Sequence, residues 1–285
     1  MKINVDENAG FCWGVVQTVE KVENILKEND NINVYILGEI IHNPQEINRL
    51  AEKGLTTIST ENINELSNDA KVIIRAHGEP PETYQKLESK NISYIDATCP
   101  LVQNLQQKVL KYYKLGYQIV IFGKYSHPEI VALRGVCDNE CIVIKNNEEA
   151  DSKINYNIKT AIFSQTTIKE NDFKNLIEYL KNKFINVEFI VNNSVCRFVS
   201  ARENNLKNFA QENEIIIFVA GRNSSNGKSL FNTCNSVNKR TYFIESIDEI
   251  DLNWFKGVTK VGITGATSTP LWYLNELKQY LEKIN

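Results

Sequence analysis

No part of the chain approaches the ~18 consecutive apolar residues of a membrane-spanning helix, which excludes a helical membrane protein. A basic excess is also missing. Thirty-two Lys and Arg stand against 35 Asp and Glu, for a net charge of −3, so the positive face of a nucleic-acid binder is not expected. Met1 runs directly into KINVDENAGFC without the charged and then apolar pattern of a secretory leader. A cytoplasmic protein is therefore expected. The six cysteines include no C-x2-C pair, which argues against a local zinc knuckle, and thiols in a chain without an export signal are expected to stay reduced. Histidine is scarce, with three residues in 285. What remains, 42% hydrophobic and 24% charged, is the composition of an ordinary globular protein.

The thiols that are present fall into a pattern. Cys99 lies in DATCPLV, after the strand-like ISYI and before a helical run that Pro100 opens and Gly116 ends. A sulfur at a helix N-terminus is expected to favour the thiolate. Cys12 and Cys196 have the same setting, a short apolar run before and a helical run after. Each of the three helices leads into an apolar strand closed by glycine. These are Gly38, Gly123 and Gly221, which lie 26, 24 and 25 residues beyond the cysteines. Four residues past each glycine comes a polar loop residue: His42, His127 and Ser225. A second polar loop follows another apolar strand in each unit. It reads RAHGEPPE with His77, SQTTIKE with Thr166 and Thr167, and GATSTP with Thr267, Ser268 and Thr269. The third unit ends before its last strand and cysteine, and residues 1–12 can supply both, so the repeat is circular.

This periodicity predicts an α/β fold of three similar domains in a pseudo-threefold, trefoil-like arrangement, rich in parallel strands. The expected domains are 13–97, 98–194, and 195–285 completed by 1–12. Ligand loops in such units lie at the carboxyl ends of strands, so equivalent loops and cysteines are expected to face one central cavity. Three thiols there could bind zinc, an iron–sulfur cluster, or nothing. Three distant thiolates suit a cubane cluster with one iron lacking a protein ligand. Ser224, Ser225 and Asn226, before a helix expected to begin near Lys228, suit a phosphate, as does Ser268 before Pro270. His42, His77 and His127, the full complement of histidines, can donate to phosphate oxygens. Glu129, in SHPE, reads either as a first-turn carboxylate or as a proton relay whose pKa a neighbouring anion would raise. GRNSSNGKS imitates a phosphate-binding P-loop, but five residues separate Gly221 from Gly227 where that motif has four. Cys137, Cys141 and Cys234 fall outside the repeat, and packing is their expected role.

The segments GFCWGV, IIHNPQE, RAHGEPPE, DATCPLV, SHPE, SQTT, NSSNGK and GATSTP together resemble the 4-hydroxy-3-methylbut-2-enyl diphosphate reductase family over essentially the whole chain. The resemblance implies a [4Fe–4S] cluster held by Cys12, Cys99 and Cys196. It implies a diphosphate site of His42, His77, His127, Ser224, Ser225, Asn226 and Ser268. It also implies that Glu129 relays protons, with Thr166 and its neighbour Thr167 near the substrate hydroxyl. The implied reaction removes that hydroxyl with two electrons and two protons, giving isopentenyl and dimethylallyl diphosphate. A ferredoxin or flavodoxin is the implied electron donor, and a monomer is expected. The chain departs from the family pattern at Gln17, where a basic residue is common. It departs again at Val199 and Ser200, where a threonine-bearing pattern is common. Two other readings use the same residues. One is an open-iron hydro-lyase, which would need no reductant. The other is an isoprenoid diphosphate binding protein, which would need neither Glu129 nor all three thiols.

Overall fold

The computed structural model describes residues 1–28 and 33–284. Among the described residues, twelve strands fall into three four-stranded sheets. The first sheet in chain order contains β2 (Val34–Leu37), β3 (Leu55–Ile58), β4 (Lys71–Ile74) and β5 (Ser93–Asp96). The second contains β6 (Gln118–Phe122), β7 (Ile142–Ile144), β8 (Thr160–Ser164) and β9 (Phe189–Val191). The third joins β1 (Lys2–Val5) to β10 (Ile215–Val219), β11 (Thr241–Ile244) and β12 (Lys260–Gly265). Their orders are β3-β2-β4-β5, β7-β6-β8-β9 and β11-β10-β12-β1. Each is thus 2-1-3-4 in its own count, and the N-terminal strand takes the fourth place in the last sheet. Lys2 pairs with Lys260 and Val5 with Ile263, in parallel.

The connecting helices follow from the sequence. α4 (Pro100–Lys114) starts at a proline whose missing N–H would have no helical partner anyway, and it stops before Gly116, which has φ +75°. α5 (Pro128–Val136) starts the same way. In the second sheet, Ile119, Ile121, Ala161 and Phe163 pack on one face against Leu105 and Val109 of α4 and Ile130 and Leu133 of α5. Val120, Phe122 and Ile162 pack on the other face against α7 (Glu170–Lys181). Burial on both faces is why these strands read as unbroken apolar runs. The third sheet is covered likewise. Ile217, Val219 and Ile263 lie on one face against α10 (Leu271–Lys283). Ile216 and Phe218 lie on the other, against α8 (Arg197–Gln211) and α9 (Ser225–Val237). Cys234 is fully buried in that second layer.

The chain divides into two compact units. One comprises residues 1–23, 39–55 and 197–285, and the other residues 24–38 and 56–196. Among the described residues no helix is long and apolar enough to cross a membrane.

Candidate active site

In a 2-1-3-4 parallel sheet the strand order reverses between strands 1 and 3. The crevice beyond their carboxyl ends is where such sheets bind ligands. The polar residues singled out from sequence lie there. His42 follows β2 and His77 follows β4. His127 follows β6, and Thr166 and Thr167 follow β8. Ser224–Asn226 follow β10, and Ser268 follows β12. The cysteines follow the fourth strand of each sheet. Cys12, Cys99 and Cys196 each directly precede a helix: α1 (Trp13–Glu28), α4 and α8. Their backbone N–H groups make equivalent bonds. Each donates to the carbonyl two residues beyond strand 3 of its sheet: Cys12 to Thr267 at 3.1 Å, Cys99 to Ala76 at 3.0 Å and Cys196 to Thr166 at 2.8 Å. All three are half-buried and outside any disulfide.

Within the unit of residues 56–196, Glu129 is the centre of a connected group. It is 1% exposed. Its carboxylate accepts from the Thr166 N–H at 2.7 Å and from the Thr166 hydroxyl at 2.6 Å. Burial raises its pKa from 4.5 to about 7, against the lowering effect of the two Thr166 bonds. His127 caps α5. Its Nδ1 accepts the Glu129 N–H at 3.2 Å, which puts the ring proton on Nε2. The His77 ring meets it edge-on, with centroids 5.3 Å apart. Thr167 is engaged elsewhere, because its hydroxyl accepts from Gln165 Nε2 at 2.7 Å. Cys99 departs from the expectation of a thiolate-favouring helix end. The Leu101 and Val102 amides do favour its thiolate, but burial is the larger influence, and Cys196 and Glu129 add to it, so its thiol is pushed up.

Within the other unit, α9 begins at Ser225, not near Lys228, because the Ser224 hydroxyl caps it by accepting from the Gly227 N–H at 2.9 Å. Asn226 is therefore in the first helical turn. Its Oδ1 accepts from the Thr267 hydroxyl at 3.1 Å and the Thr267 N–H at 3.3 Å. The bond from Cys12 to Thr267 extends this chain. Asn226 Nδ2 and Ser268 Oγ are buried with no protein partner. Buried polar atoms of this kind call for a bound group. His42 Nδ1 lies 2.9 Å from Glu39 Oε2, which orients the ring. Its loop runs so close to Gly221 that a Cβ there would meet the His42 carbonyl oxygen at 2.2 Å.

Sequence reasoning missed a buried charge cluster in this unit. Arg202 Nη2 donates to Asp6 Oδ2 at 2.7 Å and to Thr264 Oγ1 at 2.6 Å, and Thr264 Oγ1 donates to Asp6 Oδ2 at 2.8 Å. The signal was available, since Val199, Arg202, Leu206 and Ala210 line one buried face of α8. An arginine in an apolar helical stripe implies a buried partner. Val199 belongs to that packed face, and Gln17 reaches Glu20 at 3.5 Å on an exposed surface.

Three parallel four-stranded sheets of one order, with polar loops at their switch points, define the class as an α/β protein of repeated units. Comparison with known proteins gives the particular family. The LytB protein family model matches residues 3–282, and the chain belongs to that family. It is 42% identical to the 4-hydroxy-3-methylbut-2-enyl diphosphate reductase of Chloroherpeton thalassium, covering 99% of this chain and 96% of that protein. It is 41% identical to the enzyme of the same name from Bacteroides fragilis, covering 99% and 98%. A solved structure of (E)-4-hydroxy-3-methyl-but-2-enyl diphosphate reductase, described as the terminal enzyme of the non-mevalonate pathway, superposes with a TM-score of 0.74 at 35% identity, covering 99% of both chains. The Plasmodium falciparum reductase superposes with a TM-score of 0.86 at 28% identity, covering 98% of this chain and 87% of that one.

Proposed function

We propose that this chain reduces 4-hydroxy-3-methylbut-2-enyl diphosphate to isopentenyl and dimethylallyl diphosphate, consuming two electrons and two protons and releasing water. Family membership over the full length supports the substrate. The observation that carries the chemistry is Glu129, a buried carboxyl poised at about 7 and bonded to Thr166. Such a group holds a proton near neutrality and can release it to a leaving oxygen. Thr166 Oγ1, 2.6 Å from Glu129, can pass that proton on.

The donor set fits a cluster: three half-buried thiols outside any disulfide, each at a helix N-terminus whose dipole favours negative charge. In our reading Cys12, Cys99 and Cys196 hold a [4Fe–4S] cluster, which when bound supplies the electrons and a Lewis-acidic iron. The diphosphate falls to His42, His77, His127, Ser224, Ser225, Asn226 and Ser268. Because Ser224 Oγ accepts from Gly227, its O–H remains to donate. Because Asn226 Oδ1 is taken by Thr267, its Nδ2 remains to donate. The unpaired N–H groups in the first turn of α9 add to them. His127, with Nδ1 engaged, donates from Nε2. The three-domain division at 13–97, 98–194 and 195–285 with 1–12 is supported by the shared strand order. A cytoplasmic monomer served by a ferredoxin or flavodoxin completes the proposal.

The test is anaerobic purification with iron and sulfide counts, Mössbauer spectra with and without substrate, and turnover with and without a reductant. About four irons per chain, one of them perturbed by substrate, is the expected result. A colourless, iron-free protein after reconstitution would leave a diphosphate-binding protein as the better account. Turnover without reductant would favour the hydro-lyase.

A further inference from the structure

Cys137 and Cys141 take no part in the site described above. Cys137 closes α5, with φ −108° and ψ 27°. Asp138 and Asn139 follow in left-handed conformations, φ 51° and 63°, which Asp and Asn tolerate better than most residues. The Glu140 N–H donates back to the Cys137 carbonyl at 2.8 Å. This tight reversal turns the chain back toward α5 at Cys141, and the Cys137 thiol donates to the Leu133 carbonyl at 3.5 Å. Both pack against one core cluster, with Cys137 fully buried and Cys141 half-buried at its edge. The neighbouring Cys137 and Arg134 favour the Cys141 thiolate, while the Cys137 thiol is pushed up. The pair therefore offers an accessible nucleophilic sulfur with a protected sulfur in reach behind it, the two parts that disulfide exchange requires.

We propose that Cys137 and Cys141 form a redox-active dithiol that a small-molecule disulfide converts to an intramolecular disulfide. The Cys141 thiolate attacks one sulfur of the incoming disulfide, forming a mixed disulfide and expelling one thiolate. That thiolate takes the Cys137 proton. Cys137 sulfur then attacks Cys141 sulfur and expels the second thiolate. The dithiol is oxidised by two electrons, and one small disulfide becomes two thiols. The site lies at the C-terminal end of α5, which His127 caps and whose first turn carries Glu129.

The experiment is anaerobic incubation of the iron-loaded full chain in glutathione redox buffers, followed by acid quenching, alkylation and peptide mass analysis. In the wild-type chain the peptide bearing both cysteines should lose two hydrogens and carry no glutathione, at a more reducing poise than any other cysteine is modified. Cys137→Ala should trap a mixed disulfide at Cys141, and Cys141→Ala should leave Cys137 unmodified. A wild-type peptide that stays fully alkylated after other cysteines react, or that holds glutathione without resolving, would overturn the proposal. The wild-type result decides even if a variant does not fold.

Discussion

Glu129 is pulled in two directions, and pH shows which wins. Burial raises its pKa from 4.5 to about 7, and the Thr166 bonds offset only part of that rise. Between these values the folded chain keeps a proton that the unfolded chain has released, so stability falls as pH rises through the window. Below it both forms are protonated and the stabilisation is complete. Above it both are ionised and roughly 3 kcal/mol has been lost. Glu129→Gln removes the titration. Denaturant unfolding of the metal-free chain should show the variant gaining on wild type from about pH 4.5 to 7 and then levelling. A gap independent of pH would mean that Glu129 does not titrate as described. In the loaded enzyme the same variant should keep its iron yet lose turnover by a factor on the order of 10²–10⁴, as expected for a proton-transfer residue. Normal turnover would remove it from the reaction.

At the scale of elements, glycine and the helix caps set the geometry. Gly221 opens the turn after β10 where the His42 loop crosses it, and a methyl group would strike a carbonyl oxygen at 2.2 Å. Gly221→Ala should cost about 1–3 kcal/mol of stability. It should also raise KM for the diphosphate more than it lowers kcat, because the displaced group is the proposed binding loop. A KM that did not change would detach His42 from binding. Much of this level was legible in the sequence. Strand, thiol and helix recur at near-constant spacing, and α1, α4 and α8 each begin on the residue after their cysteine. The short strands β3 and β11 are not legible, because LTTI and TYFI lie at sheet edges and carry little continuous apolar signal. The start of α9 lies three residues before the position near Lys228 that the sequence suggests, because its cap depends on one hydroxyl meeting one amide, which spacing alone does not reveal.

At the scale of the whole molecule, the contacts hidden from the sequence are those between its distant parts. Asp6, Arg202 and Thr264 bind β1, α8 and β12 together. Arg202→Met leaves Asp6 buried without its partner and should cost about 3–5 kcal/mol in thermal or denaturant unfolding. Adding Asp6→Asn should recover part of that loss. A single variant as stable as wild type would show that the pair carries no net weight. Only Arg202 betrays this cluster in the sequence, since neither Asp6 nor Thr264 differs locally from a solvent-facing residue.

The pairing of β1 with β12 has a consequence for how the chain is made. The β6–β9 sheet is finished at Val191, whereas the first strand has no partner until Lys260–Gly265 leave the ribosome. At about 5–20 residues per second, the N-terminal strand and its cysteine wait roughly 10–50 s as nascent chain. A stalled ribosome bearing the first 240 residues should hold a protease-resistant β6–β9 segment while residues 2–12 stay cleavable, and protection of both would contradict this order. Under the proposed role of Cys12, assembly of the metal centre waits for β12, and the delivery machinery meets a chain whose last sheet has closed.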